Sequence, residues 1–174
     1  HHDSHRRQRQ MCIRDSALGW DHTCVLFDDG TVTCWGSNAH GQLGIGSTTT
    51  IGDQPAEMGD SLVQVALPSG RTATQITAGD GFTCALLDNS EVACWGKNDK
   101  GQMGIGTTSN QGDSAGEMGD SLTTVDLSYN ALYVDAGRDH VCTVVDTSSG
   151  RVQCWGGNQA CLLYTSPSPR DSRK

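Results

Sequence analysis

The chain has 174 residues, a formal net charge of −8, 22 glycines, 4 prolines, 8 cysteines and 5% aromatic residues. That length suits about one domain. No apolar run approaches the ~20 residues of a membrane span, and the acidic balance argues against a nucleic-acid binder, which carries a basic face. Val, Leu, Cys and Trp are clustered despite a low hydrophobic content of 35%, which argues against general disorder.

The two ends stand apart from the rest. Residues 1–16 read HHDSHRRQRQMCIRDS and residues 161–174 read CLLYTSPSPRDSRK; both are basic or polar, without apolar period. RRQRQMCIRDS resembles an in-frame translation of one arm of a transposase-based sequencing adapter, and CLLYTSPSPRD resembles the other arm. The alternative is a pair of natural disordered tails. On the adapter reading these segments leave the fold argument. His1 and His2 are then not a metal site, Arg6, Arg7 and Arg9 are not a nucleic-acid arm, and Cys12 and Cys161 are not native thiols. The remaining part, 17–160, carries a net charge near −12, which disfavours DNA and anionic membrane surfaces still further. Its start and stop are accidental on this reading, so the lack of a signal peptide carries no information.

From Ala17 onward the chain repeats itself, with units expected at 17–76, 77–135 and 136–160. Gly19-Trp20-Asp21-His22-Thr23-Cys24 aligns with Gly79-Asp80-Gly81-Phe82-Thr83-Cys84, and the two copies stay in register without a gap to Leu67 and Leu127. Roughly half of the positions are identical, which marks an internal repeat. A third copy starts at Gly137-Arg138-Asp139-His140-Val141-Cys142 and reaches Cys154-Trp155-Gly156-Gly157-Asn158. Each copy reads as β. Thr23 to Phe27 and Thr31 to Trp35 flank the turn Asp28-Asp29-Gly30, which predicts a hairpin with a three-residue loop. Copy two has Asp88-Asn89-Ser90, where Ser is a poorer fit to the glycine slot. Copy three has the longer turn Asp146-Thr147-Ser148-Ser149-Gly150. Val63 to Leu67, Thr74 to Thr77, Thr123 to Leu127 and Tyr133 to Asp135 are further short-strand candidates, and no stretch shows sustained helical period.

The shared text G-x-x-H-T-C-x-L-x-x-D-G-x-V-x-C-W-G-x-N-x-x-G-Q-L-G-x-G resembles the repeat of the regulator of chromosome condensation family, over essentially all of 17–160. The resemblance implies an all-β protein, a β-propeller that is commonly seven-bladed, with about one four-stranded blade per repeat. The chain then supplies about two and a third blades, a fragment unable to close a ring. The units exceed the family's usual repeat by about ten residues, and the extra length falls in 47–61 and 107–121. Repeat units bury faces against their neighbours, so Trp35, Trp95 and Trp155, which share one slot, are expected to pack between blades. The open faces at both ends predict poor expression of the fragment alone. A phosphate-binding glycine loop is the rival for Gly41, Gly44 and Gly46, but no Lys-Ser/Thr follows.

Six cysteines lie in the repeats. With Phe27 opposite Thr31, the ladder sets Cys24 opposite Cys34; likewise Cys84 faces Cys94. The two-residue insertion in copy three preserves parity, so Cys142 faces Cys154. Alternation puts each pair at a non-hydrogen-bonded site with Cα atoms about 4.5 Å apart, within disulfide range. Three cross-strand disulfides and an oxidising compartment follow. Buried reduced thiols are the alternative, while the C-x9-C and C-x11-C spacings fit zinc poorly.

Other chemistry is sparse. His22 and His140 share a slot with Phe82, which points to packing, and no Ser-His-Asp or Cys-His set is legible. Asp53, Glu57, Asp60, Asp113, Glu117 and Asp120 in the inserts leave calcium open, although their order does not match the usual calcium loop. Gly19-Trp20-Asp21-His22-Thr23 resembles a G-W-R-H-T pentapeptide of light-sensing members of the family, where Trp and Arg lie on a ring face. Asp21 in place of Arg disfavours photoreception, but the comparison nominates Trp20, Asp21, Asp80, Arg138 and Asp139 for partner contact. The sequence therefore points to a non-enzymatic protein-interaction module, without cofactor, metal, nucleic acid or small-molecule substrate. A guanine-nucleotide exchange factor for a small GTPase, at home in the cytoplasm or nucleus, is one alternative. A secreted or cell-surface recognition protein, favoured by the cysteine pairs, is another.

Overall fold

The computed structural model describes residues 12–145 and 151–158. They form nine strands in three sheets of three, ordered β1-β2-β3, β4-β5-β6 and β7-β8-β9. β1 (Ile13–Leu18), β2 (His22–Phe27) and β3 (Val32–Gly36) make the first sheet; β4 (Ala73–Ala78), β5 (Phe82–Leu87) and β6 (Val92–Gly96) the second; β7 (Ala131–Ala136), β8 (His140–Val145) and β9 (Arg151–Gly156) the third. Two single 3-10 turns at Gly59–Ser61 and Gly119–Ser121 are the helical content among the described residues.

The hairpin register is the one the sequence predicts: Leu26 pairs with Val32, Val25 with Thr33 and Cys24 with Cys34. The same parity places Cys84 opposite Cys94 and Cys142 opposite Cys154. The turn 146–150 lies outside the described residues. Gly30 has φ of 80° and Ser90, in the same slot, φ of 68°.

β1 lies against β4, and β4 against β7, so the first strands form the inner row of the array. Pairing in β1 begins at Ile13, ahead of the repeat boundary drawn at residue 17. In that strand only Ala17 is buried, and Ser16 is exposed in the slot where Ile76 and Val134 are buried. Each inner strand carries a bulge at its second residue.

The expected fourth strands are cut down to single bridges, Thr33 with Gln64 and Ala93 with Thr124. Val65 and Val125 each donate one main-chain bond, to the carbonyls of Val32 and Val92. In the first repeat the ladder stops there because Leu67 N–H folds back to Val65 O, while Ala66 O accepts from Gly119 of the next repeat. The backbone groups that would extend the strand are committed elsewhere.

Alternation along the middle strands produces two cores. His22, Cys24 and Leu26 of β2 are buried towards the second sheet, and every residue of β5 is buried because a sheet lies on either side. One core holds Leu26, Val32, Leu43, Ile76, Leu87, Trp95 and Met118; the other holds Phe82, Leu86, Val92, Met103, Val134 and Val141. Trp95 enters the first repeat as expected: its Nε1–H donates to Gln42 O at 3.0 Å, and a side chain at Gly44 would come within 2.8 Å of that nitrogen. Trp155 repeats the contact with Gln102 O at 2.8 Å.

Candidate functional site

The turns joining inner and middle strands build one face. In each, Gly19, Gly79 or Gly137 donates to the carbonyl three residues on at 2.9 Å. The ring of His22, Phe82 or His140 then lies over the glycine, where any Cβ would overlap it; this is the reason for glycine at that position. Successive turns are tied together, since Trp20 N–H donates to Gly79 O at 3.3 Å and Asp80 N–H to Arg138 O at 2.8 Å. Residues about sixty apart in sequence therefore stand side by side.

Trp20 is 78% exposed, and the Arg138 guanidinium carbon lies 5.9 Å from its ring centroid, at cation–π range. Arg138 Nε also lies 3.5 Å from an Asp80 oxygen and 3.9 Å from Asp139. Lys97 Nζ approaches Asp80 at 3.9 Å. The face borders an open groove of about 310 Å³ floored by Leu18, Ala78 and Ala136. Of the five residues nominated for contact, Trp20, Asp80 and Arg138 come together. Asp139 sits beside them but is held by Lys100 Nζ at 2.8 Å, with its other oxygen buried and without a hydrogen bond. Asp21 turns towards His22, 3.8 Å from Nδ1.

His22 is a packing residue, as its exchange with Phe predicts, with a polar link besides. It is 3% exposed. Thr83 Oγ1 donates to Gln42 O at 2.9 Å, so His22 Nε2 must be the donor in its 2.9 Å bond to Thr83 Oγ1. Nδ1 has no hydrogen-bond partner. Burial holds the imidazole below its ordinary pKa, against the opposing pull of the Asp21 carboxylate.

The three cysteine pairs stand across their hairpins as disulfides, each with Cα atoms 4.1 Å apart. In the inserts, Glu57 accepts from Gly52 and Gln54 N–H at 2.8 and 3.0 Å, bonds that pull its carboxyl below the usual range. Glu117 repeats the pattern with Gly112 and Ser114. Asp120 accepts from Ser69 N–H and its hydroxyl, which lowers its pKa and ties the second insert to the first repeat. These carboxylates cap turns, and no group of three or more metal-ligating side chains occurs among the described residues.

Sequence reasoning gave no role to Asn38 and Asn98, the Asn of C-W-G-x-N. Both are fully buried. Asn38 bonds Ser47 O, Thr49 O and Leu43 N–H; Asn98 bonds Thr107 O, Ser109 O and Met103 N–H. They fold the loop that receives the next Trp. Their recurrence at a fixed step after C-W-G was the available signal.

Three blade-like sheets packed face to face, with a shared inner row, define a repeat protein of β-propeller type. The chain belongs to the regulator of chromosome condensation (RCC1) repeat family, whose models match residues 13–42, 73–102 and 29–86. It is 38% identical over 88 residues to the ultraviolet-B receptor UVR8 of Arabidopsis thaliana, covering 51% of this chain and 18% of that protein. It is 29% identical over 158 residues to the human probable E3 ubiquitin-protein ligase HERC6, covering 88% of this chain and 14% of that one. Yeast RCC1 (Prp20), solved bound to Kap60, superposes with TM-score 0.61 at 27% identity over 84% of this chain and 32% of that chain. The chain thus spans less than a fifth of these curated relatives. The propeller built from such repeats is a protein-interaction fold. No helix among the described residues is long and apolar enough to cross a membrane.

Proposed function

We propose that this repeat array is a non-enzymatic protein-interaction module whose contact face is the row of turns carrying Trp20, Asp21, Asp80, Arg138 and Asp139. The observation that carries the reading is Trp20, 78% exposed and capped by Arg138. Exposed Trp and Arg side by side are the residue types that dominate binding energy at protein interfaces. The complex of yeast RCC1 (Prp20) with Kap60 is a precedent for protein binding by a protein of this repeat family. The three cysteine pairs favour a secreted or cell-surface setting over the cytoplasm or nucleus. Exchange on a small GTPase is the second reading, by kinship alone.

The test installs a photo-crosslinking side chain at Trp20 and, as control, at Val63, which is 57% exposed in the segment following the first insert. We expect a discrete crosslinked protein from Trp20 alone, with the purified partner's affinity falling at least about thirtyfold in Arg138→Glu, the scale of a hot-spot loss. Equal crosslinking at both positions, or unchanged affinity, would overturn the reading. Accelerated nucleotide release from a small GTPase would replace it with the second. Six alkylatable thiols in the repeats, without reductant, would remove the extracellular setting.

A further inference from the structure

The two interfaces between repeats are built on the same positions with different chemistry. Between the first and second, His22 Nε2–H bonds Thr83 Oγ1, which bonds Gln42 O, the carbonyl that also receives Trp95 Nε1–H. Between the second and third, the His slot holds Phe82 and the Thr slot Val141, both fully buried in one apolar core. One interface hangs on an imidazole and the other on hydrocarbon.

We propose that the first interface is an acid-sensitive joint that protonation of His22 opens, while the second interface stays closed. The neutral ring is enclosed, and a second proton on Nδ1 would place a cation in the core. The one carboxylate facing it is Asp21, 48% exposed and 3.8 Å away, beyond hydrogen-bond reach. Pairing with it draws the ring off Thr83 and towards solvent, which breaks the bond from His22 to Thr83 and leaves the Thr83–Gln42 bond without the ring that covers it. Among the described residues, the other titratable or charged groups beside this interface are His40 and Lys97, which lie over Gly81, and Asp80 and Arg138 on the adjoining turns, where Asp80 is approached by Lys97 at 3.9 Å and by Arg138 at 3.5 Å. The sign follows from linkage. The closed form keeps His22 neutral and the opened form takes up the proton, so the interface is strongest above the ordinary histidine range and weakens as pH falls through and below it. Opening also separates Trp20 from Gly79, and so divides the face of turns.

The experiment is amide and indole hydrogen exchange by NMR on the full chain between pH 7.5 and 5, corrected for intrinsic rates. Trp20 N–H and Trp95 Nε1–H report the first interface, and Asp80 N–H and Trp155 Nε1–H the second. Protection at the first should fall relative to the second by up to about tenfold per pH unit, the limit for one proton. His22→Phe should flatten the ratio. His22→Phe with Thr83→Val copies the second interface and covers a failure of the single variant to fold. His40→Gln should keep the pH dependence, and Phe82→His with Val141→Thr should confer the same dependence on the second interface, so that both reporters lose protection together and the ratio flattens. A flat ratio in the unaltered chain overturns the proposal. So does a pH dependence that survives loss of His22, or a His22 ring resonance that titrates while the ratio stays constant.

Discussion

Val32, Val92 and Val152 hold one repeat position in the third strand of successive sheets, yet the first two are fully buried and Val152 is 61% exposed. Val65 and Val125 bond main chain to main chain beside the first two, and no such segment lies beside Val152 among the described residues. The leading side shows the converse. Met118 is 9% exposed against the first repeat, while Met58, its counterpart, is 45% exposed. Trp95 is fully buried and Trp35 half-buried. The same residue in the same strand is core or surface according to what its neighbour presents. Stability here belongs to interfaces between repeats, as expected of quasi-one-dimensional arrays.

The largest effect should separate Trp95 from Trp35. Trp95→Ala removes a fully buried ring and leaves Gln42 O without its indole donor, at a cost of about 3–5 kcal/mol. Trp35→Ala should cost at most about 1.5 kcal/mol, because the ring keeps part of its hydration and, among the described residues, no Gly44-type socket of a preceding repeat encloses it. Urea denaturation of the two variants measures the difference. Equal losses would show that each repeat is stable by itself and break the comparison.

The disulfides sharpen the same contrast. Each closes a loop of similar length, separations of 10, 10 and 12 residues, so the chain-entropy contribution is alike, about 2–3 kcal/mol each. Access is not alike. Cys84 and Cys94 are fully buried between sheets, whereas Cys154 is exposed. Thiolate attack needs a reachable sulfur, so a mild reductant should open Cys142–Cys154 first and Cys84–Cys94 only as the repeats part. Timed alkylation and peptide mapping give the order. Simultaneous opening would mean that the interfaces separate faster than reduction and impose no protection.

The array was legible where a pattern is local or recurs. Parity alone set Cys24 opposite Cys34, because the side-chain period of a strand is two and the turn length was visible. The inner strands at Ala73–Ala78 and Ala131–Ala136 match the short-strand candidates at Thr74 to Thr77 and Tyr133 to Asp135. Val63 to Leu67 has strand composition but forms one bridge, because Ala66 O is claimed by Gly119, over fifty residues away. Nothing near Ala66 signals that. Ile13 to Ser16 were set aside for their composition, yet their backbone pairs with β2; main-chain bonds do not require the apolar alternation that Ser16 lacks. On the face of turns, repeat alignment put Trp20, Asp80 and Arg138 in one slot. That Arg138 caps Trp20 across the intervening turn follows only from the geometry of the row.

The smallest expected effect lies in the hairpin turns, and it is asymmetric. Gly30 and Ser90 share a slot and both adopt positive φ, 80° and 68°. An L-residue with a side chain pays about 1–2 kcal/mol there, while glycine loses about 0.5–1 kcal/mol more chain entropy on folding. Ser90→Gly should therefore stabilise the chain by about 0.5 kcal/mol. The reverse change is not its mirror image. A Cβ at Gly30 would stand 2.5 Å from Thr72 Cβ and 3.1 Å from Ala73 O, so Gly30→Ser adds overpacking of about 1–3 kcal/mol to the backbone strain. Thermal melts of the two single variants and the double swap test this. If the swap were neutral, the contact with Thr72 would have relaxed by movement of the inner strand β4. The bond from Ala73 N–H to Gly30 O, 2.9 Å in the structure, would then exchange faster in the swapped chain than its counterpart from Ala131 N–H to residue 90.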